Sequence, residues 1–205
     1  NYAFKYTKKS ELSMIFLEGK KTYLRPLEKK DIRGNYLSWF NDQEVCLHNA
    51  HGVFPVTTVD LENYLKSAAQ DKIVLAIFDA QSNEHIGNVS LQQIDWVSRN
   101  AEFAIIIGEK KYWRGGYGKE VADLVLYHGF IRMNLERIYC GTTESNKAMQ
   151  KLADYMLMTK EGVQRRAFFV NGKYQDIFDY GLLKKEYLVG SNYQSIEKLS
   201  LKSKV

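Results

Sequence analysis

The sequence predicts one α/β domain, on three observations. An apolar run, Ala101 to Ile107, interrupted only by Glu102, reads as a buried strand. It leads through a glycine-rich turn into Val121 to Ile131, whose apolar residues Val121, Leu124, Val125 and Ile131 fall at helical spacing. Further on, Val163–Val170 and Tyr174–Leu183 flank Asn171-Gly172, a strong signal for a hairpin. The 205 residues, 45% of them hydrophobic, suffice for one domain with a core of its own.

Residues 1–13 are polar and Lys-rich and read as an N-terminal extension; the domain is expected over 14–188, with a polar C-terminal tail over 189–205. Ile15 to Leu27 reads as a hairpin or bent strand turning at Gly19. Asp31 is placed to cap a helix reaching about Phe40, with Ile32, Tyr36, Leu37 and Phe40 on one face. An irregular stretch, Glu44 to Pro55, separates it from a second helix begun by Thr57 or Thr58. There Asp60 and Glu62 sit in the first turn, where the dipole favours acids. Lys72–Phe78, His85–Ile94 and Glu102–Ile107 are strands, the first two joined through Ser82-Asn83. After the glycine turn the helix ends near Met133-Asn134. Arg137–Thr143 is a strand, and Ser145 is placed to cap a helix carrying Ala148, Met149, Leu152 and Met156. The order is β-α-α-β-β-β-α-β-α-β-β.

Charge and cysteine usage narrow the function. The net charge is +5, but residues 1–30 carry eight Lys/Arg against three Glu, and residues 184–205 carry five Lys against two Glu. The body between them is therefore mildly acidic, which suits a cationic amine better than a phosphate backbone, and nucleic acid is not expected as a partner. Cys46 and Cys140 lie far apart with no metal-type spacing, so a reduced, cytoplasmic protein without a metal is expected. No run has the length of a membrane span, no signal-peptide pattern opens the chain, and a homodimer is left open.

The glycine turn carries the chemistry. In Trp113-Arg114-Gly115-Gly116-Tyr117-Gly118-Lys119-Glu120, glycines let the backbone turn sharply and admit a ligand close to it. The helix start that follows offers unpaired N–H groups and a positive dipole end, with Arg114 and Lys119 adding charge. The reading is a diphosphate cradle. A Walker loop is excluded because Glu120 follows Gly118-Lys119, and a dinucleotide fingerprint because Val121 takes its last glycine position. What remains resembles the acyl-CoA loop of the GNAT superfamily, Gln/Arg-x-x-Gly-x-Gly/Ala, with Gly116 and Gly118 at the last two positions. Trp113 at the first, together with Glu161-Gly162-x-x-Arg165, looks like the ribosomal-protein and amino-sugar acetyltransferase branch. The strand and helix order fits over roughly residues 15–187.

The resemblance implies the GNAT fold: a single mixed, mostly antiparallel sheet flanked by about four helices. It implies an enzyme that moves the acetyl group of acetyl-CoA to a primary amine by direct attack. An amino-sugar-like small molecule is placed narrowly ahead of a protein N-terminus. A non-catalytic acyl-CoA-binding module is the alternative from another class. Arg114, Gly115, Gly116, Tyr117, Gly118 and Lys119 would then hold the diphosphate, and the main chain of Ile105, Ile106 and Ile107 the pantetheine. Asn146 is either a CoA contact or a simple helix start. Glu102, in the phase opposite Phe103, Ile105 and Ile107, is the candidate base, with His48, His51 and Glu44 competing. Trp39, His51 and Glu44 are assigned to an acceptor pocket, in an aromatic region that could equally pack two helices. His128, on the apolar face of its helix, reads as a core histidine. The tyrosine that protonates the leaving thiolate in many relatives would fall at Ala153, so the acid stays unassigned.

Overall fold

Eight strands line up in one open sheet. The computed structural model describes residues 15–67, 71–190 and 193, so the expected extension and nearly all of the expected tail lie outside the described residues. In chain order the strands are β1 Leu17–Glu18, β2 Thr22–Pro26, β3 Ile73–Asp79, β4 His85–Asp95, β5 Asn100–Ile107, β6 Arg137–Thr143, β7 Thr159–Val170 and β8 Lys173–Leu183. They lie side by side as 1-2-3-4-5-6-8-7, and only β5 and β6 run parallel. The helices among the described residues are α1 (29–41), α2 (Thr58–Ser67), α3 (117–132), α4 (Lys147–Tyr155) and a short α5 (Lys184–Val189). This is the mixed, mostly antiparallel arrangement the resemblance implied, with one added short helix at the end.

Alternation along the strands loads both faces. On one face Leu75, Ile77, Val89, Leu91, Phe103, Ile138 and Leu182 pack against Val121, Val125, Leu126 and Phe130 of α3 and Ala153 of α4. On the other, Val74, Ala76 and Phe78 pack under Ile32, Tyr36, Trp39 and Phe40 of α1 and Leu61 of α2. This second layer covers β2, β3 and the start of β4 and reaches Ile106 on β5. At the far end of β6 the same face is met instead by the 42–57 loop, through His48, where the sequence had shown only irregularity.

Two capping expectations are corrected. Asp31 lies inside α1, not at its cap: its carboxylate reaches back to the Glu28 N–H at 2.8 Å and is gripped by Arg25 at 2.6 and 2.8 Å. The one carboxylate thus closes a capping box on Glu28 from the third helical position and also holds a buried guanidinium. At α4, Asn146 caps where Ser145 was expected, its side-chain oxygen accepting from the Met149 N–H at 3.0 Å. The 171–172 turn matches its expectation, both residues taking positive φ (49° and 76°).

Candidate active site

β5 and β6 pair over three residues only, Asn100↔Arg137, Ala101↔Ile138 and Glu102↔Tyr139. Beyond Glu102 they part, and a V-shaped slot opens between them. On its other side β5 stays paired with β4, Ile105 opposite Val89, Ile106 opposite Asn88 and Ile107 opposite Gly87. The Gly108 N–H donates to the Ile86 carbonyl at 2.9 Å, which sets the alternation of the ladder. Ile106 therefore spends its amide and carbonyl on Asn88, while Ile105 turns both of its groups, and Ile107 its amide, toward the slot; the Ile107 carbonyl is taken by Trp113. The three isoleucines are not equivalent. Register, which composition does not reveal, decides that two of them face the opening.

The cradle follows directly. A 3₁₀ turn at Lys110–Tyr112 leads to Arg114 (φ 62°) and Gly116 (φ 82°), both left-handed, and α3 starts at Tyr117. Glu120 is the first residue to bond back along the helix, its N–H to the Gly116 carbonyl at 3.3 Å. The amides of Tyr117, Gly118 and Lys119 precede it and have no helical acceptor, so they could take an anion, with the helix dipole behind them. Arg114, Gly115, Gly116 and Lys119 are exposed around it. These residues fit a diphosphate, and the slot beside them fits an extended amide-bearing arm. Tyr117 gives only its main chain: the phenol donates to Asp79 at 2.8 Å, and that bond with burial pushes its pKa up to about 12.

Trp113 acquires a role that the motif did not supply. Its indole N–H donates to the Ile107 carbonyl at 2.7 Å and ties the loop to the end of β5. Trp113→Phe keeps a ring but removes that donor. The fold should lose about 1 kcal/mol, the worth of one net hydrogen bond, and coenzyme A should bind about fivefold more weakly as the end of the slot loosens. Equal affinity by calorimetry would show that the bond does not shape the slot.

The acceptor-side candidates scatter. Glu102 sits at the vertex of the V, on the face away from α3, its Oε2 accepting from Gln92 at 2.8 Å and Gln93 at 3.0 Å. Trp39 is buried, with only 3% exposed. Its ring lies where a Cβ on Gly108 would stand, and its N–H donates to Glu109 at 3.0 Å, so it packs α1 onto the end of β5. Glu44 pairs with Lys110 at 2.6 Å, and Asp42 joins the same ammonium at 2.9 Å. His51 packs edge-on against Phe40 with ring centroids 4.7 Å apart. His48 goes elsewhere: its Nδ1 lies 3.2 Å from Ser145 Oγ and 3.4 Å from Thr143 Oγ1, at the far end of β6, and burial lowers its pKa. His128 is half-buried against Phe16, as a packed histidine. Ala153 is fully buried, and Tyr155, two places on, donates to Asp123 at 2.7 Å, so neither offers an acid to the slot.

Two sets of residues escaped the sequence reading. Beyond the bulge at its start, β4 turns Val89 and Leu91 to the core and Asn88, Ser90 and Gln92 to the Glu102 face; Asn88 and Ser90 are buried there. The Asn88 Oδ1 has no hydrogen-bond partner. A polar residue at every second position of an apolar strand was the available signal. Lys21, Thr22 and Glu120 form the other set, and nothing local marks them.

Residues 21–156 match the family described as acetyltransferase (GNAT) domain. The spermidine N(1)-acetyltransferase of Vibrio cholerae serotype O1 is 28% identical over 174 residues, covering 80% of this chain and 94% of that protein. Its counterpart from Escherichia coli K12 is 26% identical over 165 residues, with 80% and 87% covered. The crystal structure of the Vibrio cholerae spermidine N-acetyltransferase in complex with CoA and spermine superposes with a TM-score of 0.75 at 26% identity, over 83% of this chain and 99% of that one.

Proposed function

We infer the acceptor from the premise that this chain belongs to the GNAT acetyltransferase family and is an acetyl-CoA-dependent N-acetyltransferase. The acceptor is a small primary amine with a single cationic centre, of the amino-sugar kind. What supports this is the charge of the acceptor face. Asp42 and Glu44 share the single ammonium of Lys110, and Glu161 pairs with Arg137. Glu109 is held by Trp39 and Asn35. Glu102 is bonded only to neutral amides. Glu109 and Asp179 are likewise held only by neutral donors, but Glu102 is the carboxylate at the vertex of the slot, where one ammonium would sit; a polyamine would also engage the other two.

Acetyl-CoA supplies the acyl group. The amides of 117–119 hold its diphosphate, and the main chain of Ile105 and Ile107 aligns its arm along the slot. An alkyl ammonium has a pKa of about 10, so near neutral pH its proton must leave before attack. Glu102 accepts that proton, directly or through water. His48 lies four residues along β6 from the vertex, about 13 Å away. It contacts the far part of the acceptor.

The names of the relatives favour a second reading, a polyamine acceptor. A thiol-release assay separates the two. With amino-sugar nucleotides, spermidine and a free peptide N-terminus offered in parallel, the amino sugar is expected to give the highest kcat/KM. Turnover confined to spermidine would replace this acceptor with a polyamine, and turnover confined to the peptide with a protein N-terminus.

A further inference from the structure

The cradle is closed from outside its own motif. The turn between β1 and β2 delivers Lys21 and Thr22 to the first turn of α3, where Glu120 Oε1 accepts three hydrogen bonds. They come from the Lys21 N–H (2.8 Å), the Thr22 N–H (2.8 Å) and the Thr22 hydroxyl (2.9 Å). Thr22 is fully buried at this joint. A surface lysine ordinarily wanders, but here the main chain beneath it is clamped across 99 residues of sequence. The clamp sets the Lys21 ammonium on the Gly115 carbonyl at 3.0 Å. It also sets it 3.8 Å from the place a Cβ on Gly116 would occupy, beside the left-handed residue that opens the cradle. One of three ammonium donors is spent on Gly115, and two remain for an anion. Glu120 would repel an anion at this helix start, and three donors on one of its oxygens offset that charge.

We propose that Lys21 is a ligand to the diphosphate of coenzyme A, with Glu120 as its positioning residue. This rests on the cradle reading, since without a diphosphate at residues 114–119 Lys21 has nothing to hold. It adds a phosphate ligand from a turn that shares no motif with the loop.

Calorimetric titration of purified protein with coenzyme A, 3′-dephospho-CoA and pantetheine tests it. Lys21→Met should raise the Kd of both nucleotides about tenfold, a charge-assisted hydrogen bond lost at an exposed site, and leave pantetheine binding as it was. Lys21→Arg should recover most of the loss. Glu120→Ala should weaken both nucleotides to a similar degree and add little on top of Lys21→Met, because the two residues act as one unit. The Lys21 main chain keeps its bond to Glu120 in Lys21→Met, so the unfolding midpoint should hold. Unchanged nucleotide affinity in Lys21→Met would overturn the proposal while leaving the cradle intact. A loss seen with coenzyme A but absent with 3′-dephospho-CoA would overturn it too, by moving Lys21 to the 3′-phosphate. Wild-type protein that binds coenzyme A no more tightly than pantetheine would remove the cradle itself.

Discussion

Gly116→Val is expected to raise the Kd for coenzyme A about a hundredfold while costing only about 1–2 kcal/mol of stability. Gly116 holds φ at 82°, a conformation that valine enters only under strain. A Cβ there meets nothing of the protein closer than the Lys21 ammonium at 3.8 Å, so the fold itself has room for the side chain. What suffers is the direction of the next three amides. If the loop relaxes to negative φ, the N–H groups of Tyr117, Gly118 and Lys119 no longer converge; if it does not, a branched side chain stands at the mouth of the anion site. Either outcome removes charge-assisted bonds worth more than about 2 kcal/mol together. Gly116→Ala, with less crowding, should fall between. Calorimetric titration with coenzyme A and a thermal melt check the pair of numbers. Wild-type affinity in the valine variant would mean that the ligand is held somewhere other than these amides.

The fold was legible wherever the physics is local. β6 was placed at Arg137–Thr143, and the Asn171-Gly172 hairpin and the glycine-led start of α3 were also placed, because strand alternation, positive φ and helix periodicity each leave a mark within a few residues. Asp31 was misread because its partner, Arg25, comes from a neighbouring strand, and a cap and a buried ion pair demand the same carboxylate. The backbone of the glycine turn that leads into α3 was legible for the same local reason. The acceptor side was not, since its geometry comes from residues brought together across great sequence distance. His48 meets Ser145 over 97 residues, and Glu44 meets Lys110 over 66. Trp39 shows the opposite failure. An aromatic residue assigned to the acceptor pocket packs instead from α1 onto Gly108. Ile106 fails more quietly, through register, because the residue whose backbone faces a ligand alternates along the strand.

Glu102→Gln is expected to lower kcat/KM about a hundredfold near neutral pH and to leave the Kd for coenzyme A at the wild-type value, as befits loss of a general base. The substitution is nearly isosteric. In the wild type both Gln92 and Gln93 donate to Oε2, which leaves Oε1 to take a proton. A glutamine keeps one oxygen for those amides and has no basic atom left to offer, so folding and cosubstrate binding should survive while proton removal does not. The pH dependence carries the argument. Below the pKa of the acceptor amine, about 10 for an alkyl ammonium, nearly every bound acceptor needs its proton removed, and the variant should lag most. As pH rises toward that value the free amine arrives already competent, so wild type and variant should converge. A deficit of constant size at every pH would point to lost positioning instead of lost base chemistry. A profile identical to wild type would take Glu102 out of the mechanism and turn attention to His48, whose neutral ring, held beside Thr143 and Ser145, is the next group on this face able to accept a proton.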